Sequence, residues 1–302
     1  MILYSDAMES GVTVCIGMFD GVHRGHQALI AVGRAVADRR HEKLMVLTFD
    51  PHPLYVLKPE IAPPMITSLP QRTELLKHFG VDHVVVKKFT QAFSELSSAQ
   101  FIEEILVGEL TANAVIVGEN FTFGHRASGT IETLRSLAEP QGVEVHGVSL
   151  TGDVEPISSS RIRASILGGD VESATQLLGH GFSLSGTVVR GDRRGRELGY
   201  PTINLQWDPE LIVPSDGVYA GFVLHAGERL AAAISVGSNP QFEGVGRRVE
   251  AFILQGTHWD LYGIDVEIEF TQFLRPQLVF PDLDAYLAQM GVDVDRASRA
   301  TQ

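Results

Sequence analysis

The sequence predicts an α/β domain with a parallel sheet, followed by an antiparallel β-barrel domain with a terminal helix. Two patterns lead to this fold class. Short apolar runs alternate with helical periodicity over the first half of the chain, whereas short alternating segments and turn residues fill the second half. The change comes at the letters GHGF, and a length of 302 residues favours two domains over one. We therefore divide the chain into residues 1–180 and 181–302.

In the first domain, the apolar runs have the length of buried strands, and the segments between them have the length of helices. Ligands of parallel sheets bind at the carboxyl ends of the strands. Three of these ends continue into unusual turns, beginning at Gly17, Phe49 and Gly118, so the turns should meet at one cleft. The predicted strands are 12–16, 44–48, 81–86, 114–117 and, as a fifth candidate, 143–149; the predicted helices are 27–40, 69–79, 99–110 and 130–140.

The second domain begins after two short helical patterns. Its strands alternate apolar and polar residues, which is typical of a barrel wall with one buried face. We place the short helices at 158–167 and 171–178, the strands at 185–190, 218–225, 230–236, 248–254 and 266–273, and a closing helix at 282–290.

Composition limits the partners and the compartment. A net charge of −13 disfavours nucleic acid and anionic membranes as partners. No apolar run approaches the ~20 residues that span a bilayer, and the N-terminus carries Asp6 and Glu9 without a basic region, unlike a signal peptide. The single cysteine, Cys15, fits a reducing cytoplasm. We expect a cytoplasmic protein that binds small molecules, and the sequence leaves oligomerisation open.

The letters GMFDGVHRGH at 17–26 join the first predicted strand to the first predicted helix. Backbone N–H groups and the helix dipole converge at such a junction, which suits phosphate. His23 and His26 are three residues apart and can face the same cleft, where they can donate to charge that develops during phosphate transfer. Two alternatives stay open: a metal pair, which lacks a third ligand at a recognisable spacing, and surface or capping histidines.

The letters RGDRRGRELGYPTINL at 190–205 form a second motif. Its glycines permit close approach to a ligand, and its arginines can meet phosphate charge although residues 181–302 contain no lysine. Thr202 and Asn204 are two apart, so an extended segment points both to one face, where their oxygens suit Mg²⁺. A hairpin turn with a solvated charged face is the alternative, but it does not account for the PTIN end.

The first motif resembles the H-x-G-H nucleotidyltransferase signature, and its FDGVHRGHQ form resembles the adenylyltransferase half of bacterial bifunctional riboflavin kinase/FAD synthetases. Three later segments are similar to this family in the same order, namely LTFDPHP at 47–53, VGENFTFG at 117–124 and ISSSRIR at 157–163. The resemblance implies a Rossmann-like nucleotidyltransferase domain that transfers AMP from ATP to FMN, forming FAD and pyrophosphate.

By this resemblance, His23 and His26 contact the phosphates of ATP, and His26 stabilises the transition state. Ordinary core packing is the alternative for Phe121 and Phe123. Residues 158–160 could serve only as a helix cap. The resemblance implies ATP or phosphate binding by Gly17, Phe19, Gly25, Asn120, Ser159, Arg161 and Arg163, and flavin binding by Asp50, Pro51, Pro53, Phe121 and Phe123.

The second motif resembles the riboflavin kinase signature, and similar segments follow it: PSDGVYAG at 214–221, SVGSNP at 235–240, RVEAF at 248–252 and LYG at 261–263. The resemblance implies that Glu250 takes the proton from the ribityl hydroxyl of riboflavin as it attacks the γ-phosphate of ATP. A solvated strand residue is the alternative. The implied ATP ligands are Gly191, Arg196 and Gly199, and the implied Mg²⁺ ligands are Thr202 and Asn204.

The expected activity is therefore phosphorylation of riboflavin to FMN followed by adenylylation of FMN to FAD. A relative with a weakened kinase half is an alternative, because Arg248 and Gln255 stand where the family usually has Thr and Asp, and His180-Gly181 stands where Arg-Pro is common. A non-catalytic flavin or nucleotide sensor is a further alternative.

Overall fold

Contacts between residues group the chain into two units in the computed structural model, which describes residues 11–149, 156–191, 199–237, 247–255 and 259–302. Unit 1 comprises Met1–Pro63 and Leu69–Ser158, and unit 2 comprises Pro64–Ser68 and Ser159–Gln302. This grouping differs from the predicted division at residue 180, because the helix Val171–Leu178 packs against barrel strands. The division into functional domains at residue 180 stays a prediction.

Unit 1 is built on a five-stranded parallel sheet with the order β3-β2-β1-β4-β5. The central strand β1 is buried along its whole length. Val14 and Ile16 belong to one apolar cluster and Cys15 to another, so apolar residues pack on both faces of the sheet. The predicted parallel sheet is confirmed, with strands β1 (Val12–Ile16), β2 (Lys43–Asp50), β3 (His83–Lys88), β4 (Ala112–Gly118) and β5 (Glu144–Val148).

The helices of unit 1 differ from prediction in several places, including a helix at Gln91–Ser94 that was not predicted. A short helix at Pro53–Leu57 was not predicted, and most of the predicted α-helix 99–110 is a π-helix at Phe101–Glu109. At its end, the amide of Leu110 donates to the carbonyl of Ile105, five residues earlier, at 2.9 Å. The helices are α1 (Arg24–Arg40), α2 (Pro53–Leu57), α3 (Leu69–His78), α4 (Gln91–Ser94), α5 (Ser98–Gln100) and α6 (Ile131–Ala138), with 3₁₀ turns at Pro59–Ile61, His125–Ala127 and Glu139–Gln141.

Helix α1 packs closely on the sheet through a glycine. A Cβ atom on Gly33 would lie 2.5 Å from Cys15 Sγ and 2.9 Å from Leu44 Cδ1, so only glycine permits this approach. The thiol of Cys15 is fully buried, and burial raises its pKa. Cys15 therefore acts as a small apolar residue of the core.

The amino ends of the strands are tied together by a buried carboxylate. Glu42 is 9% exposed and accepts hydrogen bonds from Thr13 Oγ1 at 2.9 Å, Asn113 Nδ2 at 2.8 Å and Arg40 Nε at 3.0 Å. These partners lie on β1, β4 and α1, so the carboxylate joins three elements with its charge compensated. This edge of the sheet has a structural network, and the turns with ligand-binding motifs lie at the opposite edge.

Unit 2 contains a closed antiparallel barrel with the order β10-β7-β6-β11-β8-β9. Closure pairs both edges of the sheet and leaves none exposed. The barrel is confirmed, but β7 is a strand that the prediction did not separate from the second motif. The elements are α7 (Ser159–Leu167), α8 (Val171–Leu178), β6 (Phe182–Val189), β7 (Ile203–Gln206), β8 (Gly217–His225), β9 (Glu228–Gly237), β10 (Arg248–Ile253), β11 (Asp265–Arg275) and α9 (Leu283–Ala300).

The terminal helix α9 packs over β8, β9 and β11 and is longer than predicted. Asp293, 5% exposed, forms a bidentate pair with Arg275, whose Nη2 lies 2.6 Å from Oδ2 and whose Nε lies 2.9 Å from Oδ1. Ala297, four residues later, is also buried, so the buried stripe continues beyond the predicted end at residue 290.

The segment Pro64–Ser68 belongs to unit 2 because it bonds to barrel residues. The amide of Met65 donates to the carbonyl of Glu210 at 2.7 Å, and the amide of Ile212 donates to the carbonyl of Met65 at 2.8 Å. Chain from the first unit's sequence thus forms part of the second unit's structure, which no local pattern predicts.

Candidate active sites

The turn between β1 and α1 holds two non-glycine residues in the left-handed region. Phe19 has φ 52° and Val22 has φ 36°, and both side chains are fully buried. A β-branched residue rarely adopts a positive φ, so burial and hydrogen bonds must hold this turn in place. The amide of Val22 donates to the carbonyl of Phe19 at 3.0 Å, and the amide of Gly17 donates to the carbonyl of Leu47 on β2 at 3.2 Å. Phe19, predicted to bind ATP, is fully buried, and its role stays a prediction.

His23 caps the N-terminus of α1. Its Nδ1 accepts from the amide of His26 at 3.3 Å, and the residue is 3% exposed. The two imidazole rings stack with centroids 3.6 Å apart and an interplanar angle of 16°. A Cβ atom on Gly25 would lie 3.1 Å from the ring of His23. The capping alternative for His23 is therefore observed, and capping directs the paired rings to the helix N-terminus, where an anion is favoured.

His26 is held in a state that suits an incoming anion. Within the described residues, its buried Nδ1 has no hydrogen-bond partner. Burial lowers the pKa of His26 well below its ordinary value, and the neighbouring His23 and Arg72 lower it further. The ring of His26 is therefore neutral at neutral pH, and the negative charge of a bound phosphate would favour its protonation.

A metal ion at the histidine pair would lack a third protein ligand among the residues that the structure describes. Within the described ranges, no three His, Cys, Asp or Glu side chains are arranged to hold a metal ion. A zinc site needs three or four such ligands. The polar groups of the β1–α1 turn favour phosphate.

The predicted flavin loop follows β2, the strand next to β1. Asp50 ends β2, Pro51 follows, and Pro53 begins α2; Asp50 is exposed, and the two prolines are half-buried. His52 caps α2 by accepting from the amide of Leu54 at 3.1 Å. Because β1 and β2 are adjacent and parallel, this loop and the histidine turn leave the same edge of the sheet.

The third turn follows β4, on the other side of β1. Asn120 is exposed, Phe121 is half-buried, and Phe123 is 7% exposed. The rings of Phe121 and Phe123 stack at 5.6 Å with an interplanar angle of 11°, and Phe123 also packs against Phe101 in the core. The core-packing alternative therefore describes Phe123, whereas Phe121 retains surface that a flat ring can cover.

The three predicted phosphate residues on α7 lie in unit 2. Ser159 begins the helix, and Arg161 is exposed. Arg163 is 9% exposed, and its Nε donates to the carbonyl of Pro64 at 2.7 Å. Arg163 thus has a structural contact that the sequence did not reveal, and its phosphate role, like those of Ser159 and Arg161, stays a prediction.

The residues predicted for the second site lie on the less buried face of the barrel wall. Glu250 on β10 is paired in register with Asn204 on β7 and with Ser235 on β9. These three side chains are half-buried, whereas Val249 and Ala251, the neighbours of Glu250, are buried. Directly paired residues of antiparallel strands share one face, so the barrel places the predicted general base beside a predicted metal ligand.

The loop before β7 brings more of the second motif to this face. A Cβ atom on Gly191 would overlap the side-chain amide of Asn204, so a larger residue there would displace this amide. Half-buried Thr202 and Asn204 alternate with buried Ile203 and Leu205, which places both on one face as predicted. Gly199 has φ 86° in the same loop, and Arg196 lies outside the described residues.

Sequence reasoning missed Arg72 on α3. This arginine is 1% exposed, and its guanidinium contacts one backbone carbonyl in the β1–α1 turn and one near the end of β2: Nη1 donates to Met18 at 2.9 Å and Nη2 to Phe49 at 3.3 Å. The sequence held one signal: Arg72 precedes Leu76 by four residues, so the two lie on one helix face, and the apolar Leu76 marks that face as buried.

Sequence reasoning quoted Ser235 only as part of the segment 235–240 and did not single out Gln277. Gln277 Nε2 donates to Ser235 Oγ at 3.1 Å and to the carbonyl of Val236 at 3.0 Å, and Ser235 is a register partner of Glu250. The hydroxyl and the carboxylate are brought together only by strand pairing.

Comparison with known proteins assigns each half to a family. Residues 5–161 match the FAD synthetase family, and residues 178–301 match the riboflavin kinase family. Among curated proteins, the chain is similar to bifunctional riboflavin kinase/FMN adenylyltransferases from Listeria monocytogenes (36% identity, covering 93% of this chain and 89% of the relative) and Escherichia coli K12 (33%, covering 96% and 92%). The relative from Bacillus subtilis is 33% identical, with 95% and 91% covered.

The fold is also similar to a solved structure over almost its whole length. A crystal structure from Streptococcus pneumoniae, described as a macrolide-efflux protein, superposes with a TM-score of 0.86 at 31% identity, covering 97% of this chain and 96% of that one. In the part of our chain that the structure describes, no helix has the length and apolar character needed to cross a bilayer.

Proposed function

This chain belongs to the bifunctional riboflavin kinase/FMN adenylyltransferase family, and we infer that it phosphorylates riboflavin to FMN and adenylylates FMN to FAD. One observation carries this proposal: each half of the chain matches a family of enzyme domains, FAD synthetase at residues 5–161 and riboflavin kinase at residues 178–301. Riboflavin, FMN and ATP are then its substrates, and FAD is the final product.

For the kinase reaction, we assign Glu250 as the general base. The 5′-hydroxyl of riboflavin attacks the γ-phosphorus of ATP, Glu250 accepts the hydroxyl proton, and the bond to the β-phosphate oxygen breaks to release ADP. Register pairing of Glu250 with Asn204 supports this assignment, because it places the base beside a residue that we assign to the Mg²⁺ ion of the ATP phosphates. Gly191, packed on Asn204, would let the phosphates approach the backbone, with Gly199 and Arg196 as further ligands.

Mg²⁺ fits the donors at this face. Thr202 and Asn204 offer uncharged oxygens, and Asn204 is register-paired with the carboxylate-bearing Glu250. Mg²⁺ takes hard oxygen donors and completes its octahedral shell with substrate phosphates and waters. The ion would neutralise phosphate charge. We propose Thr202 and Asn204 as its protein ligands.

For the transferase reaction, we assign the β1–α1 turn to ATP. A phosphate oxygen of FMN attacks the α-phosphorus of ATP, and pyrophosphate leaves with the bonding electrons. The stacked His23 and His26 at the N-terminus of α1 support a role in stabilising that charge. Gly17, Gly25 and the backbone of Phe19 would line the phosphates, with Asn120, Ser159, Arg161 and Arg163 as further predicted ligands.

The flavin of FMN is assigned to the loops that follow β2 and β4. Half-buried Phe121, supported from behind by Phe123, would stack on the isoalloxazine, with Asp50, Pro51 and Pro53 on the other loop. We also propose a cytoplasmic location, consistent with a buried single cysteine.

A second candidate is a relative with a weakened kinase half. Arg248, which stands where Thr is usual, places Nη1 4.0 Å from Glu250 Oε1, so a charged group adjoins the proposed base. This contact favours a weakened kinase reaction and has no bearing on the transferase reaction, because Arg248 lies beside the base of the kinase site.

A time-resolved product assay tests both candidates. Purified protein is incubated with riboflavin, ATP and Mg²⁺, and flavins are separated by chromatography. We expect FMN to rise before FAD. FAD formed from supplied FMN, with none from riboflavin, would identify the weakened-kinase relative. Binding of flavin and ATP without turnover of either substrate would instead support a sensor and refute the enzyme.

A further inference from the structure

Arg72 links the two loops that carry the proposed transferase site. We propose that Arg72 is a positioning residue for FMN adenylylation: its buried guanidinium holds the carbonyl of Met18 in the β1–α1 turn, here called the ATP loop, and that of Phe49 near the end of β2, the strand that leads into the flavin loop. The proposal rests on the proposed transferase function. It assigns a role to a residue that lies outside every motif of the sequence.

The backbone of the β1–α1 turn needs contacts from outside the turn to hold its conformation. Phe19 and Val22 hold left-handed backbone conformations that neither side chain favours. Met18 directly precedes this strained turn, and its carbonyl accepts two hydrogen bonds from outside the turn, one from Arg72 Nη1 at 2.9 Å and one from Thr48 Oγ1 at 3.0 Å. Thr48 is fully buried, so both donors act away from water.

The second arm of the guanidinium reaches the other loop. Arg72 Nη2 donates to the carbonyl of Phe49 at 3.3 Å, one residue before Asp50 ends β2. A planar guanidinium presents two donors in a fixed fork, which sets the distance between the carbonyls that it joins. The fork of Arg72 therefore ties the turn assigned to ATP to the end of β2, from which the loop assigned to the flavin leaves.

Arg72 also holds a charge where anions are expected to bind. It is 1% exposed, and within the described chain its Nε has no hydrogen-bond partner. The carboxylates of Asp20, itself buried, and Asp50 lie close enough to act on its charge. A buried cation is destabilising unless opposite charge compensates it, and the two carboxylates supply that charge. Positioning of the two carbonyls gives a reason for an arginine at this place.

The test compares two Arg→Lys variants in one unit. Arg72→Lys keeps the charge but loses the fork. Arg34→Lys is the matched control, because Arg34 joins Asp82 at 2.7 Å and the carbonyl of Glu42 at 3.3 Å, at the other edge of the same sheet. We expect Arg72→Lys to lower kcat for FAD formation from FMN roughly 10–100-fold and to raise KM for ATP, with FMN formation unchanged. Arg34→Lys should leave both rates within about twofold of wild type.

A double-mutant cycle separates positioning from general stability. Thr48→Val removes the other donor to Met18, so its effect on kcat should be smaller in the Arg72→Lys background than in wild type. Millimolar guanidinium should restore part of the FAD formation that Arg72→Ala loses, because it refills the site of the fork.

Several results would overturn the proposal. These are FAD formation by Arg72→Lys within twofold of wild type, strictly additive effects of Arg72→Lys and Thr48→Val, or losses that match the unfolded fraction with KM unchanged. Wild-type protein that makes no FAD from FMN refutes the transferase function instead. In that case calorimetric titration with ATP decides the Arg72 proposal, since equal affinity in wild type and Arg72→Lys, or no binding by either, would refute it.

Discussion

The neutral state of His26 has a measurable consequence for stability. Burial, His23 and Arg72 all lower the pKa of His26 in the folded protein below its ordinary value of 6.5. In the unfolded chain these groups are removed, so His26 takes up a proton there more readily. His26→Gln removes this titration and keeps a side chain of similar polarity.

The sign of the effect follows from proton binding. Below pH 6.5 the unfolded state binds a proton that the folded state does not, so the free energy of unfolding falls as the pH falls, and it is fully retained above that range. The maximum slope is about 1.4 kcal/mol per pH unit for one proton. Between pH 7.5 and 5.5, wild type should therefore lose up to about 1.4 kcal/mol more than His26→Gln, provided that the folded pKa stays below this range.

The distribution of tryptophans makes the two units separately visible. The chain has two tryptophans, Trp207 and Trp259, and both lie in unit 2. In urea titrations, tryptophan fluorescence therefore follows unit 2, whereas far-UV circular dichroism follows both units. The transition present only in circular dichroism reports unit 1, which contains His26.

Two comparisons decide the result. His225→Gln, on β8 of unit 2, is the control for loss of a histidine and should leave the unit 1 slope unchanged. Parallel pH profiles for unit 1 in wild type and His26→Gln would refute the reasoning, because they would mean that folding does not alter the protonation of His26.

Further changes test the two reactions and the packing of each unit. Glu250→Ala should lower FMN formation at least about 100-fold, because the general base is lost, and should spare conversion of FMN to FAD; chromatography of both products checks this. His26→Ala should block FAD formation while FMN accumulates, in the same assay. Gly33→Ala should destabilise unit 1 by about 1–3 kcal/mol, because the new methyl group meets Cys15 Sγ and Leu44, as measured by urea unfolding. Asp293→Ala should destabilise unit 2 by about 1–3 kcal/mol by leaving the half-buried Arg275 without its carboxylate partner, as measured by tryptophan fluorescence.

Each of these expectations has a contrary result. Equal loss of both reactions in Glu250→Ala would contradict separate sites, and unchanged FAD output in His26→Ala would make the histidine pair structural. A Gly33→Ala protein as stable as wild type would show that α1 can move away from the sheet. Unchanged fluorescence melting of Asp293→Ala would show that α9 is held by its apolar contacts alone.

Local sequence was sufficient to predict the main elements of both units. The strand β1 is an apolar run buried on both faces, and β10 alternates half-buried and buried residues, so periodicity identifies both. The junctions after β1 and before β7 were also predictable, because glycine patterns and polar side chains at set spacing are local properties. His23, His26, Thr202 and Asn204 lie where those patterns placed them.

Contacts between distant residues decided the rest. Arg72 lies 54 positions from Met18, and Glu250 meets Asn204 and Ser235 only through strand pairing. Stacked Phe121 and Phe123 look alike in the sequence, but packing against Phe101 buries only one of them. Periodicity reports which face of an element is apolar and not which element covers it, so the buried fork between the loops and the pairing beside the base exist only in the folded chain.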